Sequence, residues 1–518
     1  MAGTIKDAWE EGVTRRAGLV TRCELYAAFT IPSVCPPVGY DQQATELQTD
    51  YQAVGAQAVN NLANKINLAL FAPSRPFMRY DVPAELAEKL EQDIPDLKGK
   101  LALAERESIR LLDQLAARPR LYAAAQHLIV TGNCLLILGK DKGDPPRVLG
   151  LKKYTVKRSL SGKVVDIMVK DDLKFDELEA DVQAFLKSKD ANYAKMDPED
   201  PRSCGDVCWF TRVHLMPTGK YRVECYIDDH LLPQKYNGEY TAEELPYRAL
   251  TWELPDGQHY GVGLVEQCAG DFAALSALSE SALKAAILAS EFRWLVNPAG
   301  QTQPEDLEES ENGAAIPGVA GDIEAISAAG AGVAQGLQII NTVLTEYVNR
   351  IGRTFLLGSS VIRDAERVTA EEVRLQAQEL ETSLGGVYSR LAIDFQLPLA
   401  YWLAGQLGVK LAGSGLRPTI ITGLDALSRN ADLENLKACI GDMAQLADLS
   451  QGPLGTILNF TAIAEDIFAG RGVDKSKYVN DPSTQQQLRD EQTQRNVTEA
   501  AAPGVAKAAV EQANQPQG

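Results

Sequence analysis

A nucleotide phosphate needs a glycine-rich loop ending in Lys and Ser or Thr, so that backbone amides and an ammonium meet its charge. The nearest pair in this chain, Gly139-Lys140, is followed by Asp141 and has no glycine five residues upstream. That excludes a phosphate loop there. Gly330-Ala331-Gly332 with Gly336 resembles a dinucleotide turn, but its spacing is GxGxxxG in a Gly/Ala-rich entry to a helix, and close helix packing is the expectation. Cys204, Cys208, His214 and Cys225 have ligand chemistry for zinc. They lack a C-x2-C knuckle and fall across a hairpin, so no metal is expected. The four histidines, His127, His214, His230 and His259, have no Ser or Cys in a GxSxG elbow. His127 lies in an apolar helix and reads as a hydrogen-bonded core histidine. Glu308-Glu309 and Glu371-Glu372 read as solvated faces or helix-start charges. No catalytic residue, cofactor or metal emerges, and no enzymatic activity is expected. One cluster remains, Arg363, Asp364, Glu366 and Arg367. The two arginines suit contact with phosphate. The acids beside them equally suit pairing within the cluster or capping of the helix that follows, and both readings stand at this point.

That cluster leads into a segment with long helical periodicity. Thr369 stands three residues before Glu372, the spacing of a capping box. Val373, Ala377, Leu380, Leu384, Val387, Leu391 and Phe395 then follow at 4-3-4-3-4-4 spacing. The stripe predicts one helix over 369–408, about 60 Å long at the usual rise. Gly385, Gly386 and Pro398 interrupt it, and the glycine pair is the predicted kink. So long a helix with a built-in flaw suits a large assembly better than a pocket enzyme.

The rest of the chain divides by pattern. Residues 5–130 predict helices: Tyr51–Phe71, Ala102–Leu115 ended by Arg118-Pro119, and a third over Leu121–Val130. Short β-branched runs at Leu135–Leu138, Tyr154–Arg158, Val164–Lys170, Val207–Leu215 and Tyr221–Ile227 predict strands, with turns at Ser161-Gly162 and Pro217-Thr218-Gly219. The charged stretch Asp171–Asp200 predicts a helix, then a loop. Helix is expected again over Val265–Leu295 and along Val333, Leu337, Ile340, Leu344, Tyr347, Ile351 and Phe355. Between those two helices lies a loop-like acidic module rich in Pro and Gly, and no Lys or Arg occurs between Leu295 and Val348. Residues 424–470 predict a small helical bundle, and the Gln/Ala-rich end from Asp481 an exposed helix and disordered tail.

The 518 residues suggest two to four domains, and 45% hydrophobic with 23% charged residues fits a soluble globular protein. A net charge of −19 argues against gripping nucleic acid over the whole surface, though not against letting DNA slide past. The eight cysteines are scattered, and reduced, mostly buried thiols are expected. The start shows no signal-peptide pattern. Ala325–Thr345 is uncharged, but it carries Gln335, Gln338 and Asn341 and reads as a packed helix rather than a membrane span.

Four segments together carry a family resemblance. They are Tyr51-Gln-Ala-Val-Gly-Ala with Asn60-Asn-Leu-Ala-Asn-Lys-Ile and Leu68-Ala-Leu-Phe71; Leu295-Val-Asn-Pro-Ala-Gly300; Glu366-Arg-Val-Thr-Ala-Glu-Glu-Val373; and Glu379-Leu-Glu-Thr-Ser-Leu-Gly-Gly-Val-Tyr388. In order and spacing the chain resembles the portal (head-to-tail connector) proteins of short-tailed bacteriophages over nearly its whole length. The resemblance implies a predominantly helical α+β portal fold that assembles as a closed ring, a dodecamer, around a central channel. It implies a wing at 1–262, stem helices at 263–294 and 331–356, and a clip at 295–330. A channel (tunnel) loop at 357–368, a long kinked helix and wing return at 369–423, a crown at 424–470 and a tail at 471–518 complete the division. Arg363, Asp364, Glu366 and Arg367 would lie in the channel loop. Glu305, Asp306, Glu308, Glu309 and Glu311 would form an acidic clip surface. The implied function is the ring at the capsid vertex, at the head–tail junction of the virion, through which double-stranded DNA is packaged and ejected. The ring would assemble in the host cytoplasm. Implied partners are further copies of the chain, the terminase large subunit, a tail adaptor, major capsid and scaffolding proteins and internal core proteins, with no membrane. Another ring of the virion, such as a tail adaptor or tube protein, is the alternative.

Overall fold

Alternating apolar and polar residues across the middle of the chain build two antiparallel sheets, and helices from both sides cover them. The structure, a computed structural model, describes residues 4–72, 77–81, 97–200, 202–290, 292–300, 309, 311, 315, 318–319, 321–327, 331–357, 379–380, 382–409, 411 and 416–420. The chain divides into two compact units, one of Met1–Asp81 with Ser108–Ala426 and one of Val82–Glu107 with Leu427–Gly518. Of the second unit, residues 97–107 are described, and they are helical. The expected crown bundle at 424–470, the tail and the Thr369 capping box lie outside the described residues.

In the first unit α1 (Ile5–Phe29) begins with a capping box, in which the Asp7 amide donates to Thr4 Oγ1 and the Thr4 amide to Asp7 Oδ2. Helices α2 (Val54–Leu70) and α4 (Ala117–Thr131) follow, and of α3 (Leu97–Gln114) the residues from Ser108 on belong to this unit. Arg118-Pro119 does not end the second of the predicted helices. It sits in the first turn of α4, where the missing proline N–H has no helical partner to lose. The break comes instead at Ala116, which has φ +47°. At the other end of α4, Gly132 has φ +73°, and a Cβ there would fall 2.4 Å from the Val262 carbonyl carbon. Only glycine lets the chain turn so tightly into the next strand.

Strand β1 (Met78–Asp81) pairs with the last described strand. β2 (Asn133–Ile137), β3 (Arg147–Leu149) and the later β10 (Tyr247–Thr251) make a three-stranded sheet in the order β10-β2-β3. β4 (Tyr154–Arg158), β5 (Val164–Lys174), β6 (Asp206–Leu215) and β7 (Tyr221–Ile227) form a meander, and β8 (His230–Leu231) and β9 (Gly238–Tyr240) both add to β7. Strand β5 runs on to Lys174, so helix in the charged stretch is confined to α5 (Ala180–Lys189) and a short turn at Ala191–Ala194. Register sets the two faces. Ile167 lies opposite Val213 and Val213 opposite Val223. This face packs on Leu135 and Leu149 of the smaller sheet, and α5 covers its far end through Val182 and Leu186. Met168 and Phe210 point the other way, toward Ile5 and Trp9 of α1. Arg16 of α1 ties the layers together, donating to the carbonyls of Leu151, Lys152 and Tyr154.

The helix predicted over Val265–Leu295 is shorter than its periodicity implied. α6 spans Ala269–Ser290, and Phe292–Val296 is a strand, β11, paired antiparallel with β12 (Ile323–Ser327). The stretch between the two long helices is therefore a β-hairpin at its root rather than loop throughout. α7 spans Ala331–Thr354. After Gly385 come α8 (Gly386–Leu391), one π-helical segment (Ala392–Gln396) and α9 (Leu397–Gln406), then β13 (Arg417–Ile420), the partner of β1. Where it is described, the predicted single helix is thus helical up to Leu384, broken at Gly385, and resumed as α8, the π-turn and α9. Pro398 falls in the first turn of α9.

Candidate functional site

Helices α6 and α7 are joined by the β11–β12 hairpin and run antiparallel. Asp271, near the start of α6, pairs with Arg350, near the end of α7, at 2.9 Å. Beside that pair the rings of Phe272 and Phe355 meet edge to face at 5.7 Å. Phe272, Leu275, Ile351 and Phe355 are buried at this end. Toward the hairpin the packing opens. Leu283 and Ile287 on α6 are 51% and 52% exposed, and Ile339 on α7 is 65% exposed. Two helices alone cannot bury a broad apolar stripe, so this face of the pair presents large apolar side chains to whatever packs beside it.

Where α7 ends, the last carbonyls need donors, because a helix terminus leaves them without internal partners. Leu356 there takes φ +57°, a left-handed exit unusual for a residue with a side chain. Helix α2 supplies the donors. Asn61 Nδ2 donates to the carbonyls of Phe355 at 3.1 Å and Leu356 at 2.9 Å. Lys65, one turn further along α2, donates from Nζ to the Leu356 carbonyl at 3.0 Å and to Glu379 Oε2 at 3.3 Å. The Lys65 side chain is fully buried, and that of Glu379 is 26% exposed. An ammonium at a helix C-terminus also meets the negative end of the helix dipole. Leu356 and Glu379 flank the segment 358–378, so one buried cation holds the chain on both sides of it. Arg363, Asp364, Glu366 and Arg367 belong to that segment and lie outside the described residues.

Beyond Glu379 the helix is interrupted at Gly385, which has φ +52°. Gly386 begins α8. The continuation is held at two places. Phe395 packs edge to face on Phe71, ring centroids 5.3 Å apart, and the Gln396 amide donates to the Leu70 carbonyl at the end of α2. Trp402 Nε1 donates to the Gly139 carbonyl at 2.8 Å. Gly139-Lys140, which superficially suggested a phosphate loop, is here a docking point for α9.

Of the acidic residues proposed for the clip, Glu309 and Glu311 are exposed, and Glu305, Asp306 and Glu308 lie outside the described residues. Register puts Cys225 opposite Thr211, on the sheet face away from Cys208 and His214. Among the described residues no three His, Cys, Asp or Glu side chains come together as a metal site. His127 is not a hydrogen-bonded core histidine. Its Nδ1 is buried without a partner among the described residues, and desolvation pushes its pKa down to about 4. Gly336 does not mark close packing among the described residues, because a Cβ there would meet none of them within 4 Å. Among the described residues no helix is long and apolar enough to cross a membrane.

Asn61 and Lys65 were not singled out by sequence reasoning, although both fall in one of the segments that carried the resemblance. A signal was present. Lys65 is the one charged residue of α2 and adjoins its apolar stripe.

A family model described as bacteriophage head to tail connecting protein matches residues 2–479. The portal protein of Enterobacteria phage T3 is 33% identical, covering 96% of this chain and 92% of its own. The portal protein of Escherichia phage T7 is 31% identical with the same coverage of both chains, 96% and 92%. Among solved structures, the neck of an empty GTA particle aligns over 75% of this chain and 86% of its own at 15% identity, with a TM-score of 0.38, too low to carry an argument.

Proposed function

The chain belongs to the bacteriophage head to tail connecting proteins, and from that premise we propose that it is the portal of a short-tailed phage, the ring at the capsid vertex through which double-stranded DNA enters and leaves. What carries this reading is the match to named portal proteins along almost the entire chain. The open apolar face of the α6–α7 pair supports the ring. A heterologous ring closes only if each subunit offers two complementary flanks, and a stem with the exposed side chains of Leu283 and Ile339 offers apolar surface for a neighbouring copy. We assign α6 and α7 to the stem, the β11–β12 hairpin and the acidic residues beyond it to the clip, and 357–368 to the channel loop.

DNA in the bore carries about one negative charge per 1.7 Å of axis. Exposed clip acids repeated around a ring, Glu309 and Glu311 among them, repel such a polymer or attract a basic docking partner. Arg363 and Arg367 make weak phosphate contacts in this reading, tempered by their own acidic neighbours, which suits a substrate that must keep moving. The packaging motor (the terminase large subunit), and later the tail adaptor, dock on the clip. Capsid, scaffolding and internal core proteins meet the remaining surface. The protein is structural and catalyses no reaction of its own.

Negative-stain microscopy of the purified protein tests the reading, with rings around a central hole as the expected image. Compact monomers at high concentration, or unaided ATP hydrolysis, would overturn it. Arg363→Ala with Arg367→Ala is expected to leave rings intact and to impair DNA packaging or retention. Loss of the rings themselves would make those arginines structural.

A further inference from the structure

Three guanidinium groups and an ammonium line one cleft of about 390 Å³ on the wing, where the β4–β5 turn and β10 meet α8 and the π-turn. Each cation is held differently. Arg158 donates from Nε to the His259 carbonyl at 3.2 Å, from Nη1 to Gly162 at 3.0 Å and from Nη2 to Ala249 at 2.8 Å, all neutral acceptors. Arg248 gives one Nη2 bond to the Glu243 carbonyl at 2.5 Å, and its Nε is buried with no partner among the described residues. Arg390 bonds Asp394 Oδ2 at 3.2 Å, four residues on in the π-turn. Lys163 stands exposed at the rim.

Charge in the cleft is lopsided. Asp394 is the one carboxylate among the described residues of the lining, facing four cations, in a chain whose net charge is −19. The Glu243 carboxylate and Asp394 both act on Arg248, yet burial outweighs them and pushes that guanidinium down to about 10. Burial also lowers Arg158, with Arg390 adding repulsion. Buried donors without acceptors are uncommon, and like charges gathered around a cavity are costly unless something of opposite charge comes between them.

We propose that this cleft binds a phosphate-class oxyanion. Guanidinium forks match the oxygens of a tetrahedral phosphate, and charge-assisted bonds from several cations to one multiply charged anion are the strong kind. Arg248 Nε supplies a donor already desolvated, Lys163 a mobile ammonium at the mouth, and Arg158 a fixed positive charge at the wall. The ligand has two possible sources, free phosphate in solution or a phosphate of the DNA backbone. The proposal is independent of the ring and of the channel-loop assignment.

Isothermal titration of the full-length protein at low ionic strength, with inorganic phosphate in one arm and a short DNA duplex in the other, tests it. Saturable phosphate binding is expected, one site per chain. Arg248→Gln should weaken it about tenfold, the loss of a charge-assisted bond, and the fold-safe surface variant Lys163→Ala should weaken it about threefold. Lys195→Ala, an exposed lysine elsewhere, should change nothing. If duplex binding falls in step with phosphate binding in both variants, the backbone is a source of the ligand. If phosphate alone responds, the ligand is the free anion. Absence of saturable binding, or binding untouched by both variants, overturns the proposal.

Discussion

Replacing Lys65 by Met keeps a long unbranched side chain in the buried site and removes only the ammonium. The Leu356 carbonyl would keep its bond from Asn61 at 2.9 Å, so among the described partners the loss falls mainly on Glu379. Removing one partner of a buried ion pair costs about 3–5 kcal/mol when the other is left stranded. Water reaches a quarter of the Glu379 side chain and takes up part of that loss, which brings the expected cost to about 2 kcal/mol. In a chain of two compact units a single global unfolding free energy is ill defined. The assay is therefore native-state hydrogen exchange at the end of α7, where the Phe355 amide bonds Ile351 at 2.9 Å and the Leu357 amide bonds Gly352 at 2.7 Å. Those two amides should exchange about thirtyfold faster in Lys65→Met, with amides of β5 to β7 unchanged. Glu379→Gln added to Lys65→Met should recover about 1 kcal/mol, because it removes the stranded charge. Exchange at Phe355 and Leu357 equal to the parent protein, or no recovery in the double variant, would refute the clasp.

Other expectations follow from single features. Ile339→Glu puts a charge on a large apolar side chain of α7 that is 65% exposed, and should leave the monomer folded while shifting sedimentation from rings to monomers; unchanged rings would remove that face from the interface. Gly385→Ala should destabilise the bent helix by about 1 kcal/mol, because φ +52° disfavours a Cβ, whereas Gly386→Ala should be neutral or slightly stabilising. Among the described residues neither Cβ would meet an atom within 4 Å, so equal effects in thermal unfolding would show that backbone conformation is not the cause. His127 has its folded pKa depressed to about 4, below the unfolded value near 6.5. The unfolded state then binds the extra proton between those values, so stability is full above about pH 6.5 and falls as pH drops toward 4, by up to about 3 kcal/mol. Melting temperatures at pH 7 and pH 5 should differ less in His127→Gln than in the parent, and an equal difference would remove His127 as the source.

Sequence alone determined the elements whose information is local, together with the family. Strand β7 was read to the residue, and β4 likewise, because period-two alternation and flanking turn glycines are written within a few neighbouring positions. The resemblance rested on four short segments, and comparison with the T3 and T7 portal proteins extends it along the chain. Where two local signals competed, the sequence misled. Phe292–Val296 continues an apolar helical pattern, and only its pairing with Ile323–Ser327 makes it a strand. Arg118-Pro119 is a fair helix stop and equally a fair first turn, and the left-handed backbone at Ala116 chose between them. The clasp was beyond local reading altogether. Lys65 and Leu356 stand 291 positions apart, and nothing near either one specifies the other. The same holds for Arg158, Arg248 and Arg390, which share a cleft only because β4, β10 and α8 converge. A buried charge takes its meaning from what surrounds it, and those surroundings come from distant parts of the chain that only the folded tertiary structure brings together.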